Sequence, residues 1–306
     1  MKYRPRHVAE YVVLRVIGFL MARLPYRLAL LIGWLAGAFS FFIVRYRVTE
    51  ACRRIKQVFP DRFTDREIRK VAWHSWRSFS FNVVDMFRLH LIDQKWIDRH
   101  VVDFAPARDM IQAHCRTGQG AIIASGHMGA AEVSSVLMQQ SEVPIFLITG
   151  KQKNPLVDKY LFVMRGRTGI PTVQRGSKLL KSVIRQLKEG GVLAFLADLR
   201  VSPNGTLVHF LGHTASVAPG MAKFAKQTGV PILPMVIRRI GWTHHQAFFT
   251  EPVLPDPKVA KIEDCARMTQ EVFDVIDRTV QETPEQWFWF NKRWILDPPT
   301  DETPTR

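Results

Sequence analysis

The sequence is poor in cysteine. Its three cysteines, Cys52, Cys115 and Cys265, are odd in number and far apart. That excludes a disulfide framework and a CxxC metal site, and the thiols are read as reduced and structural. Acidic charge is also scarce. The 43 Lys and Arg against 27 Asp and Glu leave a formal net charge of +16. Such a chain suits anionic company: nucleic acid, an acidic protein or an anionic membrane surface. Internal repeats and low-complexity linkers are missing, so no solenoid is expected. Disorder is excluded by the 47% of residues that are apolar. The 306 residues suffice for one large α/β domain or two small ones with a substantial core.

A comfortably long uncharged run is lacking too. "YVVLRVIGFLMARLPY" is apolar but broken by Arg15 and Arg23. The next run, "LALLIGWLAGAFSFFIV", spans 28–44 without a charge, between Arg27 and the pair Arg45 and Arg47. It sits at the lower limit of about 17 residues for a spanning helix. Three readings stay open: a short spanning helix, a helix lying in the membrane interface, and a buried core helix. A cleaved signal peptide is disfavoured, because the run lies too far in and no small-x-small site follows it. The flanking arginines favour the cytoplasmic side. The expected division is 1–48 as a membrane-associated helical region, 49–298 as the main domain and 299–306 as a tail.

From 49 to 92 the pattern is helical. Thr64 with Glu67 three residues later forms a capping box, and Ile68, Val71, Ala72, Trp76 and Phe79 recur at helical spacing. After residue 100 short apolar runs alternate with helical stretches. Strands are predicted at 120–125, 143–149, 171–174, 192–197, 230–237 and 244–253. Helices are predicted at 130–140, 154–169, 177–191 (with Ser177 as N-cap), 219–229 and 263–287. The alternation predicts an α/β fold with a mostly parallel central sheet flanked by helices.

One strand ends on an unusual stretch, "AIIASGHMGAAEVSSVLM". On a single helix His127 and Glu132 would lie roughly 140° apart, on different faces. They meet only if His127 lies in the loop after the strand and Glu132 in the first turn of the helix. Gly126 and Gly129 allow the sharp turn, and open α/β sheets place their sites at such strand ends. A carboxylate on one imidazole nitrogen fixes the tautomer and leaves the other free to take a proton from a hydroxyl. The plainer alternative is a satisfied loop histidine beside a carboxylate that favours the helix dipole. Ser125 is not in a GxSxG elbow, since position 123 is Ile. His114, Cys115 and His127 do not supply zinc-site spacing, so no metal is expected.

"SGHMGAAE" resembles the HxxxxE signature of the bacterial late acyltransferases of lipid A biosynthesis, part of a wider group with glycerolipid and lysophospholipid acyltransferases. Further segments resemble that family in order: "LPYRLALLIGWLAG", "VFPDRFTDREIRKVAWHSW", "NPLVDKYLFVMRGRTGI", "RGSKLLKSVIRQLKEGGVLAFLAD", "GTLVHFLGHTASVAPGMAKFAKQTGVPILPM" and "TPEQWFWFNKRW". The likeness covers about 15–295. Departures fall at 128–131, at Leu199 and Arg200 after Asp198, and at "HFLG" (209–212); they bear on the acceptor.

The resemblance implies a glycerolipid acyltransferase-like α/β fold, monotopic on the cytoplasmic face of the inner membrane. It implies transfer of an acyl chain from acyl carrier protein or coenzyme A to a hydroxyl of a lipid A precursor or related glycolipid, with no cofactor beyond the co-substrate. Catalysis falls to His127 as base and Glu132 as the carboxylate holding it. Substrate contacts are expected from amides near Gly129 (an oxyanion site), Arg165 or Arg167 (the oxyanion or an acceptor phosphate), Asp198 (behind the site or on the acceptor) and Arg293 (closing the site or binding phosphate). Basic clusters at 45–47, 53–56 and 237–239 fit acidic carrier protein, coenzyme A phosphates and membrane lipid. Charge alone permits a nucleic-acid-binding protein, but no zinc-finger spacing or RNP-type segment accompanies it. The residues also leave open an inactive lipid-binding protein and a hydrolase that uses the same dyad to activate water.

Overall fold

The computed structural model describes residues 3–150, 152–174, 176, 179–201 and 205–296. The expected N-cap Ser177 and the tail 299–306 lie outside them. In chain order come α1 (Pro5–Arg23), α2 (Tyr26–Ala38) running on as a π-helical turn (Phe39–Val44), α3 (Val48–Val58), α4 (Asp65–Arg88), a 3-10 turn (Leu89–Leu91) and α5 (Gln94–His100). Then follow β1 (Val101–Val102), α6 (Ala105–Arg116), β2 (Ala121–Ser125), α7 (Ala131–Gln140), β3 (Ile145–Thr149), α8 (Pro155–Gly166), β4 (Thr172–Gln174), α9 (Leu179–Lys188) and β5 (Val192–Leu196). The last part is β6 (Thr206–Phe210), β7 (His213–Val217), α10 (Gly220–Thr228), β8 (Ile232–Ile240), β9 (His244–Phe249), α11 (Lys261–Glu282) and a 3-10 turn (Pro284–Gln286).

The main sheet has seven strands in the order β1-β9-β8-β2-β5-β3-β4. The pairs β8–β2, β2–β5, β5–β3 and β3–β4 are parallel, whereas β8 and β9 pair antiparallel. β6 and β7 form a separate hairpin. The sheet is therefore mostly parallel and covered by helices, as the alternating pattern predicts. Both faces of β2 are buried, which is why its sequence reads as an unbroken apolar run. Ile122 and Ala124 face a cluster with Leu187 of α9, Ala222 of α10 and Phe273 of α11. Ala121 and Ile123 face the other way, onto Ile111 of α6 and Val133 and Val136 of α7. The hydroxyl and carboxylate of Thr64 and Glu67 close the expected capping box at the start of α4.

The chain order makes β2 the switch point. It leads through α7 to β3, skipping the place that β5 later fills between them, and β8 then docks on its other side. Loops leaving β2 and β5 thus emerge side by side at the carboxyl edge, the position where open α/β sheets form their sites.

The N-terminal run is not a buried core helix. Within Tyr26–Val44, the segment long and apolar enough to cross a membrane, only 28% is buried. Leu28, Leu31, Ile32, Leu35, Phe39, Phe42, Ile43 and Val44 are exposed. The inner side packs on α4 at close range. A Cβ at Gly33 would stand 2.7 Å from Val84 Cγ2, so glycine is what lets the two helices approach. The neighbouring α1 also exposes Val12, Val13, Val16 and Phe19.

Candidate active site

β2 and β5 run parallel with Ser125 opposite Leu196. Two residues further along each chain stand His127 and Asp198, so the register brings them together. His127 Nδ1 lies 2.6 Å from Asp198 Oδ1, and the His127 amide donates to Asp198 Oδ2 at 2.8 Å. Trp287 Nε1 donates to the same Oδ2 at 2.8 Å. With Asp198 ionised, Nδ1 carries the proton and Nε2 is left as the base. The Asp198 side chain is 2% exposed and that of His127 28%. The carboxylate is thus enclosed while the imidazole reaches the surface.

The electrostatics agree. Burial alone pushes the His127 imidazole down, but the charge and hydrogen bond of Asp198, joined by the charge of Glu132, outweigh it and raise its pKa. Burial would raise Asp198, yet His127 and the Trp287 donor hold its carboxyl below the usual range. The pair is therefore an anion and a histidine ready to become a cation. Among the described residues no serine, threonine or cysteine side chain is hydrogen-bonded to His127 Nε2. The site thus offers an imidazole nitrogen with no hydroxyl or thiol of the described residues bonded to it.

Glu132 occupies the first turn of α7, as its spacing from His127 requires, and is half-buried. The ring, however, is held by Asp198 and not by Glu132, contrary to the expected dyad. Glu132 acts on His127 through charge alone. Asp198 is thereby placed behind the histidine, with both its oxygens already engaged.

Gly129 serves a different purpose from the one expected. Its amide donates to the Gln286 carbonyl at 3.1 Å, and the Met128 amide to the Gly126 carbonyl at 2.9 Å. Neither is a free oxyanion donor. Gly129 has φ +55°, and a Cβ there would stand 1.9 Å from the Ile237 carbonyl oxygen of β8. Only glycine permits the loop to lie against that strand. The amides of Ala131 and Glu132, the first two residues of α7, have no acceptor among the described residues.

The expected arginines are not brought to the histidine. Arg165 ends α8 half-buried and Arg167 is exposed just beyond it, beside His90. Arg293 is exposed in a turn, its amide bonded to Asn291 Oδ1. None of the three is hydrogen-bonded or ion-paired to His127, Glu132 or Asp198. In the same "NP…R" segment, Asn154 instead ties α8 to α1, donating to the His7 carbonyl at 3.0 Å and to Glu10 at 2.9 Å.

Several residues escape a reading of the sequence alone. Gln286 pairs with the backbone of Arg239 on β8: Oε1 accepts its amide at 2.8 Å and Nε2 donates to its carbonyl at 3.1 Å. Trp287 clamps Asp198, and its carbonyl accepts from Ser75 of α4 at 2.5 Å. Fully buried Arg54 donates to the carbonyls of Trp289 and Asn291, at 2.8 Å each, with its guanidinium 4.6 Å from the Trp294 ring centre. The segment 284–294 is therefore a strap that fixes the His127 loop from behind. The signal for it is the "PEQW" run itself, whose likeness to the family says nothing of what its side chains hold.

Known proteins are similar to this chain in sequence. A phosphatidylinositol mannoside acyltransferase of Mycobacterium tuberculosis is 22% identical over 218 residues, which are 70% of this chain and 66% of that protein, so the chain spans just under two thirds of that relative's length. A lipid A biosynthesis palmitoleoyltransferase of Escherichia coli is 20% identical over 301 residues, 96% of this chain and 93% of that one. A lipid A biosynthesis acyltransferase of Haemophilus influenzae is 25% identical over 176 residues, 56% of this chain and 52% of that one. The sequence profile described as "Bacterial lipid A biosynthesis acyltransferase" matches residues 2–295. Matched over nearly all its length, with the HxxxxE histidine at the carboxyl edge of its sheet, the chain belongs to the bacterial lipid A biosynthesis acyltransferase family.

Proposed function

We propose that this chain is an O-acyltransferase that moves a fatty acyl group from a thioester to a hydroxyl of a lipid A precursor or a related glycolipid. The observation that carries the reading is the Asp198–His127 pair, which leaves Nε2 as a base with no protein nucleophile beside it. His127 Nε2 takes the proton of the acceptor hydroxyl as its oxygen attacks the thioester carbonyl. Asp198 holds the ring, and the charges of Asp198 and Glu132 stabilise the imidazolium. The free amides of Ala131 and Glu132, at the positive end of α7, stabilise the oxyanion. When the intermediate collapses the C–S bond breaks, and the imidazolium returns the proton to the leaving thiolate. The products are an ester and a free thiol.

The donor is an acyl carrier protein or acyl-coenzyme A, both anionic and suited to a chain of net charge +16. The exposed apolar faces of α1 and α2, with Arg45 and Arg47 at the end of the run, support attachment to a membrane. The place that fits is the cytoplasmic face of the inner membrane, where both thioester and lipid are within reach. That relatives are named for lipid A and for phosphatidylinositol mannoside favours a sugar-containing lipid acceptor.

The test is acyl transfer by purified protein in detergent, read by mass spectrometry. Carrier-protein and coenzyme A thioesters are offered against lipid A precursors, phosphatidylinositol mannosides and lysophospholipids. A product one acyl unit heavier, absent with folded His127→Ala, is expected. Release of free fatty acid alone, with every acceptor left unmodified, would replace transfer by hydrolysis.

A further inference from the structure

Where the π-helical end of the apolar run meets the start of α4, a cavity of about 600 Å³ opens to solvent. Its floor is aromatic. Phe41 and Phe42 sit 5.5 and 5.0 Å, centre to centre, from the Trp73 ring. Its rim is cationic: Arg66, Arg69 and Lys70 are all exposed lining residues. Among the described residues none of the three is ion-paired to a carboxylate, and the Arg69 guanidinium lies 5.5 Å from the Phe41 ring centre. The one acidic lining residue, Glu67, is turned to the capping box, where it accepts from the Thr64 amide and hydroxyl at 2.8 Å each.

This arrangement has an internal cost. Residues three and four apart on a helix are neighbours, so Arg66 repels both Arg69 and Lys70. Arg66 also stands in the first turn of α4, at the positive end of its dipole, which disfavours a cation. An anion in the cavity relieves the repulsion among the three and the cost at Arg66. The aromatic floor beneath the charges suits an apolar chain attached to that anion. The exposed Phe42, Ile43 and Val44 beside it place the mouth where an apolar helix face gives way to basic residues, the level of lipid headgroups.

We propose that this cavity is a binding site for the headgroup of an anionic phospholipid, with the phosphate on Arg66, Arg69 and Lys70 and the start of an acyl chain on Phe42 and Trp73. The site is separate from the His127 centre and orients the protein on an acidic bilayer. It rests on the reading of α1 and α2 as a membrane-facing surface, but not on the acyl-transfer reading.

The full-length protein is floated with vesicles of phosphatidylcholine alone and of phosphatidylcholine with phosphatidylglycerol. The variants are Arg66→Gln/Arg69→Gln/Lys70→Gln and, as a charge-matched control, Lys181→Gln/Arg185→Gln/Lys188→Gln on α9. Each basic contact with an anionic surface is worth roughly a fivefold change in partition. The cavity variant is therefore expected to bind phosphatidylglycerol vesicles about twenty-five- to a hundredfold more weakly, on the order of two or three such contacts, with binding to neutral vesicles unchanged. The α9 variant is expected to keep most of the preference. A cavity variant that keeps the preference, an α9 variant that loses as much, or a wild-type protein with no preference would each overturn the site. A wild-type protein that floats with neither kind of vesicle would remove the membrane-facing reading of α1 and α2 and the site with it, whereas a cavity variant that keeps the preference removes the site alone.

Discussion

Trp287 and His127 share one oxygen of Asp198. The indole Nε1 and the His127 amide both donate to Oδ2 at 2.8 Å, which leaves Oδ1 for the imidazole. The carboxylate is thus held from two directions before it holds the ring. A tryptophan 89 residues away in sequence in this way helps to position the His127 imidazole.

Trp287→Phe removes that donor and keeps an aromatic ring in the same buried place. A hydrogen bond to a charged group is worth about 1.5–3 kcal/mol, so kcat is expected to fall about tenfold or more, with KM little changed. In an Asp198→Asn background the further loss should be much smaller, because the charge it serves is gone. Steady-state kinetics of the two single variants and the double variant check this. Equal losses in both backgrounds would make Trp287 a packing residue only.

The pH profile follows from the same pair. In the proposed mechanism His127 acts while neutral, and the charges of Asp198 and Glu132 raise its pKa. Activity should therefore fail on the acid side at a pH above that of a free imidazole, about 6.5. Asp198→Asn removes one negative charge, so the acid limb should move to lower pH even as the maximal rate falls, by about 10²–10⁴ if the tautomer is also lost. Glu132→Gln should move the limb the same way by less. Rates of acyl transfer across pH, with folding followed by circular dichroism, measure both shifts.

The sequence carries the fold further than it carries the site. Buried parallel strands announce themselves as apolar runs, and the helix after β2 begins at Ala131, within a residue of where the pattern puts it. Glu132 is visible because it lies on the chain that follows His127. Asp198 is visible only as a strand-end aspartate. Its partnership depends on β5 slotting in beside β2 after β3 and β4 have been laid down, a crossover that no local pattern encodes. The β6–β7 hairpin is hidden for a local reason. Its turn places Leu211 and Gly212 at φ +50° and +76° and lacks the Asn-Gly or Asp-Gly signal of such turns.

Gly129 and Gly166 should respond to alanine with opposite signs. At Gly129 the backbone is left-handed and the new Cβ would meet the Ile237 carbonyl oxygen at 1.9 Å. Left-handed backbone and overpacking together should cost about 2–4 kcal/mol. Gly166 closes α8 with nothing within 4 Å of a Cβ, so alanine there should stabilise by about 0.4–1 kcal/mol. Denaturant unfolding of the two variants tests the pair. A Gly129→Ala protein as stable as wild type would mean that the loop does not lie against β8.

A buried ion pair ties the apolar N-terminal helix to the strand behind the site. The side chains of Arg239 on β8 and Asp85 on α4 are 4% and 2% exposed and form a salt bridge. Tyr26 of α2 donates to Asp85 Oδ1 at 2.9 Å, and Arg239 donates to the Trp242 carbonyl at 2.9 Å. The Arg239 backbone is the one Gln286 clamps, so the network runs from α2 to the strap that holds the His127 loop. Asp85→Ala leaves a buried guanidinium unpaired and should cost about 3–5 kcal/mol. Asp85→Leu with Arg239→Leu together should cost less than the two single changes added, since neither charge is then stranded. Tyr26→Phe removes a hydroxyl that donates to Asp85 and accepts from Arg239, a loss of at least about 1.5–3 kcal/mol, with packing kept. Urea unfolding of the set, analysed as a double-mutant cycle, should give a coupling of at least about 1 kcal/mol between 85 and 239. Additive losses would show that the bridge does not form in solution. A fall in kcat for Tyr26→Phe that follows its loss of stability would show that anchorage of the N-terminal helix reaches the catalytic loop.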